Sequence, residues 1–117
     1  MNEDFKKGNL IVQLTFDFAI SIVAFCDRLD ELRKWSLSNQ ILGASLSIGA
    51  NVKEAQNAES KADFIHKMKI AAKEADEVEF YLEVCNKSEK LPDCQDLIEQ
   101  VQAICRVLNK IISSSKK

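Results

Sequence analysis

Proline and glycine are scarce in this chain, which contains one proline and three glycines in 117 residues. Sandwiches and barrels of β-strands need frequent turns, and turns draw heavily on these two residue types. The shortage therefore argues against an all-β fold. It favours long helices joined by short connections.

Closely spaced metal ligands are also missing from the sequence. The cysteines, Cys26, Cys85, Cys94 and Cys105, include no C-x-x-C pair, and the chain has a single histidine. Because zinc sites need paired ligands of this kind, we expect no metal centre and no cofactor. Free thiols suit a reducing compartment, so we expect a cytoplasmic protein.

A strong excess of one charge is absent, since the net charge is −2 and the sequence pI is about 5.4. Dedicated nucleic-acid-binding domains usually carry a clear basic excess, which leaves only a local basic patch for that role. The apolar run from Phe18 to Cys26 is flanked by Asp17 and Asp27 and is too short to span a bilayer. We therefore expect no membrane segment and no export signal.

Apolar residues recur at spacings of three and four along most of the chain, which is the pattern of amphipathic helices. The pattern predicts helices at about residues 9–34, 39–58, 61–87 and 92–113, with a disordered tail at residues 114–117 that has no apolar anchor. Ser38 or Asn39 can cap the second helix and Ser60 the third, and Pro92 suits the start of the fourth. We predict an all-α fold, an up-and-down four-helix bundle in a single domain of residues 1–117.

The predicted first helix has more apolar surface than a surface helix needs. Two apolar stripes run side by side along this helix, and together they cover roughly 200° of the helical wheel. Leu42 and Leu46 lie outside the main apolar stripe of the second helix. Burial inside the bundle explains part of this surface, and the rest predicts an interface between copies of the chain. The residues expected in that interface are Phe16, Ile20, Val23, Leu42 and Leu46.

Two glycines, Gly43 and Gly49, fall inside the predicted second helix. Glycine inside a helix costs about 1 kcal/mol relative to alanine. This indicates that another backbone approaches the helix closely. A locally weak helix is the alternative interpretation.

Specific residues in the middle of the chain resemble a known family. The segments are SLSIGANVKEA and SKADFIHKMKIAAKEADEVEFYL, and the matching positions are Ser47, Asn51, Glu54, Ser60, Asp63, Phe64, Ala71, Glu74 and Glu77. Gly49 stands where the family often has proline, and Ala55 where it often has glycine. This pattern resembles the "four helix bundle protein" family, some members of which are encoded in intervening sequences of bacterial 23S rRNA genes and carry a ribosomal-protein label.

The resemblance implies a closed ring of five subunits and no enzyme activity. A related branch, the accessory protein of diversity-generating retroelements, implies contact with RNA or DNA through a basic surface. Asn51, Glu54 and Glu77 are the polar family positions of most interest. Asn51 and Glu54 either contact a ligand or partner, or form hydrogen bonds across the bundle that fix the register of the helices, and we favour the second role.

Catalytic groups are not evident in the sequence. A ferritin-like di-iron site needs Glu-x-x-His on two helices, and the chain has no such motif. Its only histidine, His66, falls on a charged face of the third helix, where a surface role is expected. We therefore expect no catalytic residues and no small-molecule substrate.

The third helix has an unusual order of charges. Lysines fill its first half, Lys61, Lys67, Lys69 and Lys73, and acidic residues fill its second half. The helix dipole favours the reverse order. The basic end either meets phosphate, or pairs with the acidic part of a neighbouring subunit, or is simply a solvated face.

These observations lead to one functional hypothesis and one alternative. The hypothesis is a small, non-enzymatic cytoplasmic bundle protein that forms a homo-oligomer, with five subunits implied by the resemblance. The alternative is an RNA- or DNA-binding accessory factor that uses the lysines of the third helix.

Overall fold

The computed structural model describes residues 10–116, so the predicted start of the first helix at residue 9 lies outside the described residues. The helices are α1 (Leu10–Glu31), α2 (Trp35–Ala55), α3 (Lys61–Lys87) and α4 (Gln95–Ser115). Each helix packs against two others, in the cyclic order α1, α2, α3, α4 and back to α1. The prediction of an all-α, up-and-down four-helix bundle is confirmed.

One apolar stripe from each helix faces the centre of the bundle and forms a single core. The largest fully buried side chains are Phe18, Ile22, Leu29, Ile41, Ile48, Met68, Leu82, Ile104 and Leu108. These residues recur at the three- and four-residue spacings that place side chains on one helix face. Burying each such side chain contributes about 1.5–3 kcal/mol, so this stripe is the main source of stability.

The connection between α1 and α2 is shorter than predicted. The amide of Arg33 donates to the carbonyl of Asp30, and the amide of Lys34 donates to the carbonyl of Leu29, both at 2.9 Å. With Arg33 at a φ of 62°, this is the Schellman ending of a helix. Because the turn is so tight, α2 begins at Trp35, and the prediction that Ser38 or Asn39 caps it is wrong.

The cap of α3 is as predicted, since the Ser60 hydroxyl accepts from the amide of Asp63 at 3.0 Å. The start of α4 differs: it begins at Gln95, after the predicted start at Pro92, and Cys94 occupies the capping position. Its other end extends past the predicted residue 113 to Ser115, whose hydroxyl donates to the carbonyl of Ile111 at 2.7 Å. Residues 114 and 115 are therefore helical rather than disordered.

By length and composition alone, α1 passes a test for a membrane-spanning helix. Apolar helices in the cores of soluble bundles pass the same test. Here α1 packs against both α2 and α4, and seven of its residues are buried. Its apolar composition therefore serves the bundle core on one face, which leaves the opposite face to be explained.

Candidate oligomer interface

An apolar groove runs along the outside of the bundle between α1 and α2. We call it the α1–α2 groove; it is lined by Val12, Thr15, Phe16, Ala19, Ile20, Val23, Leu46, Gly49, Ala50 and Lys53. Phe16 is 60% exposed, Ile20 59% and Leu46 48%, which are high values for large apolar side chains. The structure therefore brings together four of the five residues predicted for the interface: Phe16, Ile20, Val23 and Leu46.

The groove exists because its floor is made of small or inward-facing groups. The hydroxyl of Thr15 donates to the carbonyl of Ile11 at 2.9 Å, so this buried side chain satisfies itself within α1. A Cβ atom on Gly49 would lie 3.8 Å from Thr15, an ordinary van der Waals distance. Among residues 10–116, no large side chain fills the space above these two residues, and the larger apolar groups lie at its edges.

The structure also describes the surroundings of Leu42 and of the two glycines in α2. Leu42 is half-buried and packs against the core cluster, and it does not line the groove. Gly43 has no atom within 4 Å of a Cβ built on it, and Gly49 has room for one. Close approach of another helix within the described bundle therefore requires neither glycine.

The outer face around the groove carries little charge, and Lys53 is the one charged residue of its lining. No charged residue occurs in α2 between Trp35 and Val52, and Asp17 is the only one in α1 between Leu10 and Cys26. Outward positions of solvated helices normally carry charge. Depletion of charge around exposed apolar side chains is typical of the centre of a protein–protein interface.

A second exposed apolar pair lies on α3, away from the groove. Phe80 is 63% exposed and Val84 44%, and both lie opposite the buried stripe of α3. This pair was not predicted from the sequence, because it lies off the apolar stripe that forms the core. The signal was present, since an aromatic residue on an otherwise charged outer face is unusual.

The polar family residues do not form the expected network across the bundle. The side-chain amide of Asn51 donates to the carbonyl of Ser47 at 2.9 Å and to its hydroxyl at 3.2 Å, so it bonds within its own helix. Glu54 does reach α3, where its carboxylate lies 3.5 Å from the ammonium nitrogen of Lys67. Glu77 borders a polar cleft between α2 and α3, together with Ser47 and Glu74.

The ion pair between Lys67 and Glu54 divides the predicted lysine patch. Lys61, Lys69 and Lys73 are exposed, whereas Lys67 is half-buried and paired with Glu54. The structure gives Lys69 and Lys73 no ion pair within residues 10–116. These two lysines point away from the core on the same side of α3 as Phe80.

One group of potential metal ligands joins α3 and α4. One ligand atom each from Asp76, Glu79 and Cys105 lies within 4.8 Å of the others. The Cys105 thiol donates to the Asp76 carboxylate at 3.6 Å, and the Gln102 amide donates to Glu79 at 3.0 Å. The pKa of Cys105 is raised to about 12, mainly by burial and next by the negative charge of Asp76. At neutral pH the thiol is therefore a protonated hydrogen-bond donor.

The other thiols are buried in the core. Burial raises the pKa of Cys85 and of Cys94 to about 11. Burial also raises the pKa of Cys26. The hydrogen bond to Ser38 lowers that pKa, but its effect is smaller than that of burial. All of these cysteines are free, and protonated thiols in such surroundings act as small apolar groups rather than as nucleophiles.

Comparison with known proteins identifies relatives of the whole bundle. A comparison with curated proteins gives no match. A crystal structure from Bacteroides thetaiotaomicron VPI-5482, described as a protein with unknown function from the S23 ribosomal protein family, is similar at a TM-score of 0.85 and 37% identity, over 92% of this chain and 98% of that one. The family model described as "23S rRNA-intervening sequence protein" matches residues 7–110. The chain therefore belongs to the 23S rRNA-intervening sequence protein family, as the resemblance in its second and third helices indicated.

Proposed function

We propose that this protein is a non-enzymatic cytoplasmic bundle protein that works as a homo-oligomer, assembled through the α1–α2 groove. The supporting observation is the exposure of Phe16, Ile20 and Leu46 around a groove whose outer face is almost free of charge. Removing each such side chain from water is worth about 1.5–3 kcal/mol when burial is complete. Exposed apolar surface of this kind usually marks an interface.

The proposed number of subunits is five, which rests on the family resemblance. The groove supports a contact between copies but carries no information on their number. The helices contain no arrangement of nucleophile, base and orienting group among residues 10–116, and His66 is exposed on α3. The role that fits is therefore a scaffold that presents the outer faces of several bundles to a protein or nucleic-acid partner.

The contrast between the helices supports assembly through α1 and α2. Among the described residues, α4 has no exposed large apolar side chain, whereas α1 and α2 carry most of them. A helix that faces solvent in an oligomer needs a polar, solvent-exposed face. We therefore expect α4 to face water in the assembly.

Light scattering coupled to size exclusion tests the proposal with two variants of equal charge change. Ile20→Glu places a carboxylate in the groove, and we expect a monomer mass with unchanged helical circular dichroism. Asn109→Glu adds the same charge on the exposed side of α4, and we expect the mass of the unaltered protein. An unchanged oligomer for Ile20→Glu would contradict assembly through the groove.

The alternative function, binding of RNA or DNA by Lys61, Lys67, Lys69 and Lys73, has one observation in its favour. Lys69 and Lys73 are exposed on the same side of α3 as Phe80, and aromatic residues beside basic ones can stack on bases. Two observations weigh against it. Lys67 is paired with Glu54, and the net charge of the chain is −2.

A further inference from the structure

The exposed apolar pair on α3 is surrounded by carboxylates. Phe80 is 63% exposed and Val84 44%, and the two side chains lie one helical turn apart. The acidic residues within four positions of Phe80 are Asp76, Glu77, Glu79 and Glu83. We call these four acidic residues, together with Phe80 and Val84, the α3 acidic patch. It combines an apolar centre with a negatively charged border.

On the side that faces α4, neutral groups hold the carboxylates of the patch. The Cys105 thiol donates to Asp76 at 3.6 Å, and the Gln102 amide donates to Glu79 at 3.0 Å. The pKa of Cys105 is raised mainly by burial and next by Asp76, and Arg106 lowers it by less than Asp76 or Glu79 raises it. These contacts orient the two carboxylates without neutralising them, so this side of the patch keeps its negative charge.

On the side that faces α2, no cation balances the patch. Glu77 borders the polar cleft between α2 and α3, and Glu74 and Glu77 are the only charged residues that line this cleft. In α2 there is no charged residue between Trp35 and Val52. The negative charge therefore continues across both sides of the exposed apolar pair.

The segment of α3 around the patch is acidic throughout. Residues 74–86 include five acidic residues and no basic one, and the structure gives none of these carboxylates an ion pair within residues 10–116. Lys73 and Lys87 lie seven residues before and after Phe80, which is about 10 Å along the helix. That separation is about the Debye length at 0.1 M salt, so these lysines compensate the carboxylates only in part.

We infer that the α3 acidic patch binds a basic segment of another protein, whose lysine or arginine side chains face the carboxylates while an apolar side chain covers Phe80 and Val84. Exposed apolar side chains indicate a contact surface, and the uncompensated carboxylates determine the charge of the partner. Arginine suits the surface best, because its guanidinium group can pair with a carboxylate and also stack on the Phe80 ring.

The inference goes beyond the proposed function, because one copy of the chain carries the whole patch. It does not depend on assembly through the α1–α2 groove. RNA or DNA fits the patch poorly, since its phosphates would approach the carboxylates beside Phe80. The occupant is therefore a basic protein segment rather than a nucleic acid.

Fluorescence anisotropy with a fluorescein-labelled peptide of alternating arginine and leucine tests the apolar centre of the patch. We expect Phe80→Ala to raise the dissociation constant about tenfold, as truncation of a central aromatic side chain does. Phe16→Ala removes a phenylalanine of similar exposure, 60%, from α1 and should leave the constant unchanged. No binding to the unaltered chain, or equal constants for Phe80→Ala and the unaltered chain, would overturn the inference.

A matched pair of double variants tests the charged border. Asp76→Asn with Glu83→Gln should raise the dissociation constant several-fold at low salt, and the effect should shrink at high salt. Asp30→Asn with Glu31→Gln makes the same change in net charge at the exposed end of α1 and should have no effect. Equal weakening by both double variants would mean that the peptide is attracted by overall charge alone, and it would overturn the inference.

The assembly variant separates this inference from the proposed function. Ile20→Glu should bind the peptide with an unchanged dissociation constant and one peptide per chain. If the unaltered chain is monomeric and binds the peptide through Phe80, the proposed function fails and the inference stands. If Phe80→Ala instead dissociates an oligomer of the unaltered chain, a second copy occupies the patch and the inference is wrong.

Discussion

Ser38 and Cys26 exchange two hydrogen bonds that join the start of α2 to the end of α1. The Ser38 hydroxyl donates to the carbonyl of Cys26 at 3.3 Å, and the Cys26 thiol donates to the carbonyl of Ser38 at 3.5 Å. Both side chains are buried, at 2% exposure. The pair therefore gives each of these two buried side-chain donors an acceptor on the other helix.

We expect Ser38→Ala to lower the free energy of unfolding by about 0.5–1.5 kcal/mol, because the hydrogen bond from the Ser38 hydroxyl to the Cys26 carbonyl is lost, whereas the thiol keeps the backbone carbonyl of residue 38 as its acceptor. Urea denaturation followed by circular dichroism measures the change. Ser36→Ala, at an exposed position of the same helical turn, is the control and should change the value by less than about 0.5 kcal/mol. Equal effects of the two substitutions would show that the Ser38–Cys26 pair has no stabilising role.

Arg33 offers a gain in stability at the same turn. Its φ of 62° is a left-handed conformation, which costs a side-chain-bearing residue roughly 1 kcal/mol relative to glycine. We expect Arg33→Gly to raise the melting temperature by a few degrees. Lys34→Gly, at a φ of −93°, should lower it, because there glycine only adds flexibility to the unfolded chain. A decrease for both variants would contradict the Schellman assignment.

The buried thiols predict a loss of stability at high pH. Burial raises the pKa of Cys85 from 9.0 to about 11 in the folded protein. Below pH 9 the thiol is protonated in both states, and its contribution to stability is fully present. Between pH 9 and pH 11 the unfolded chain releases the proton more readily, so stability falls by up to about 1.4 kcal/mol per pH unit for this thiol.

Comparison of two variants isolates this effect from other titrating groups. The stability difference between the unaltered protein and Cys85→Ala should shrink as pH rises from 8 to 10.5. The corresponding difference for Val78→Ala, a buried position of the same helix without a titrating group, should stay constant. Parallel pH profiles for both variants would mean that the Cys85 pKa is not raised by folding.

Binding of nucleic acid is predicted to be weak, because Lys67 is paired with Glu54 and the net charge of the chain is −2. Fluorescence anisotropy with labelled RNA and duplex DNA at low salt measures it. If the lysines of α3 do bind phosphate, the logarithm of the affinity falls steeply with that of the salt concentration. Replacing Lys67, Lys69 and Lys73 by Gln would then flatten the slope, and tight binding with that behaviour would favour the alternative function.

The sequence was sufficient for the helices and the core because one physical signal dominates both. Residues such as Ile22, Ile48, Val78 and Leu108 repeat at helical spacing, and all are essentially inaccessible to solvent. Helix ends were less predictable. The α1–α2 turn depends on Arg33 in a left-handed conformation that glycine usually adopts, so the sequence carries no clear mark of it.

The candidate interface was predictable only in part, for reasons of geometry. The outer face of a helix is expected to be polar, and the sequence shows that Phe16, Ile20 and Leu46 are apolar exceptions on it. The shape of the groove depends on how Thr15 and Gly49 of two different helices pack, which no local pattern encodes. The same holds for Asp76 and Cys105, which are far apart in the chain and meet only when α3 and α4 pack together.

Sedimentation equilibrium of the unaltered protein at micromolar concentration tests the central claim most directly. Assembly through the α1–α2 groove predicts a particle heavier than the 13.2 kDa chain. The number of copies expected from the family resemblance is five. A mass of 13.2 kDa across the concentration range would show that Phe16, Ile20 and Leu46 stay in contact with water, and it would contradict the account.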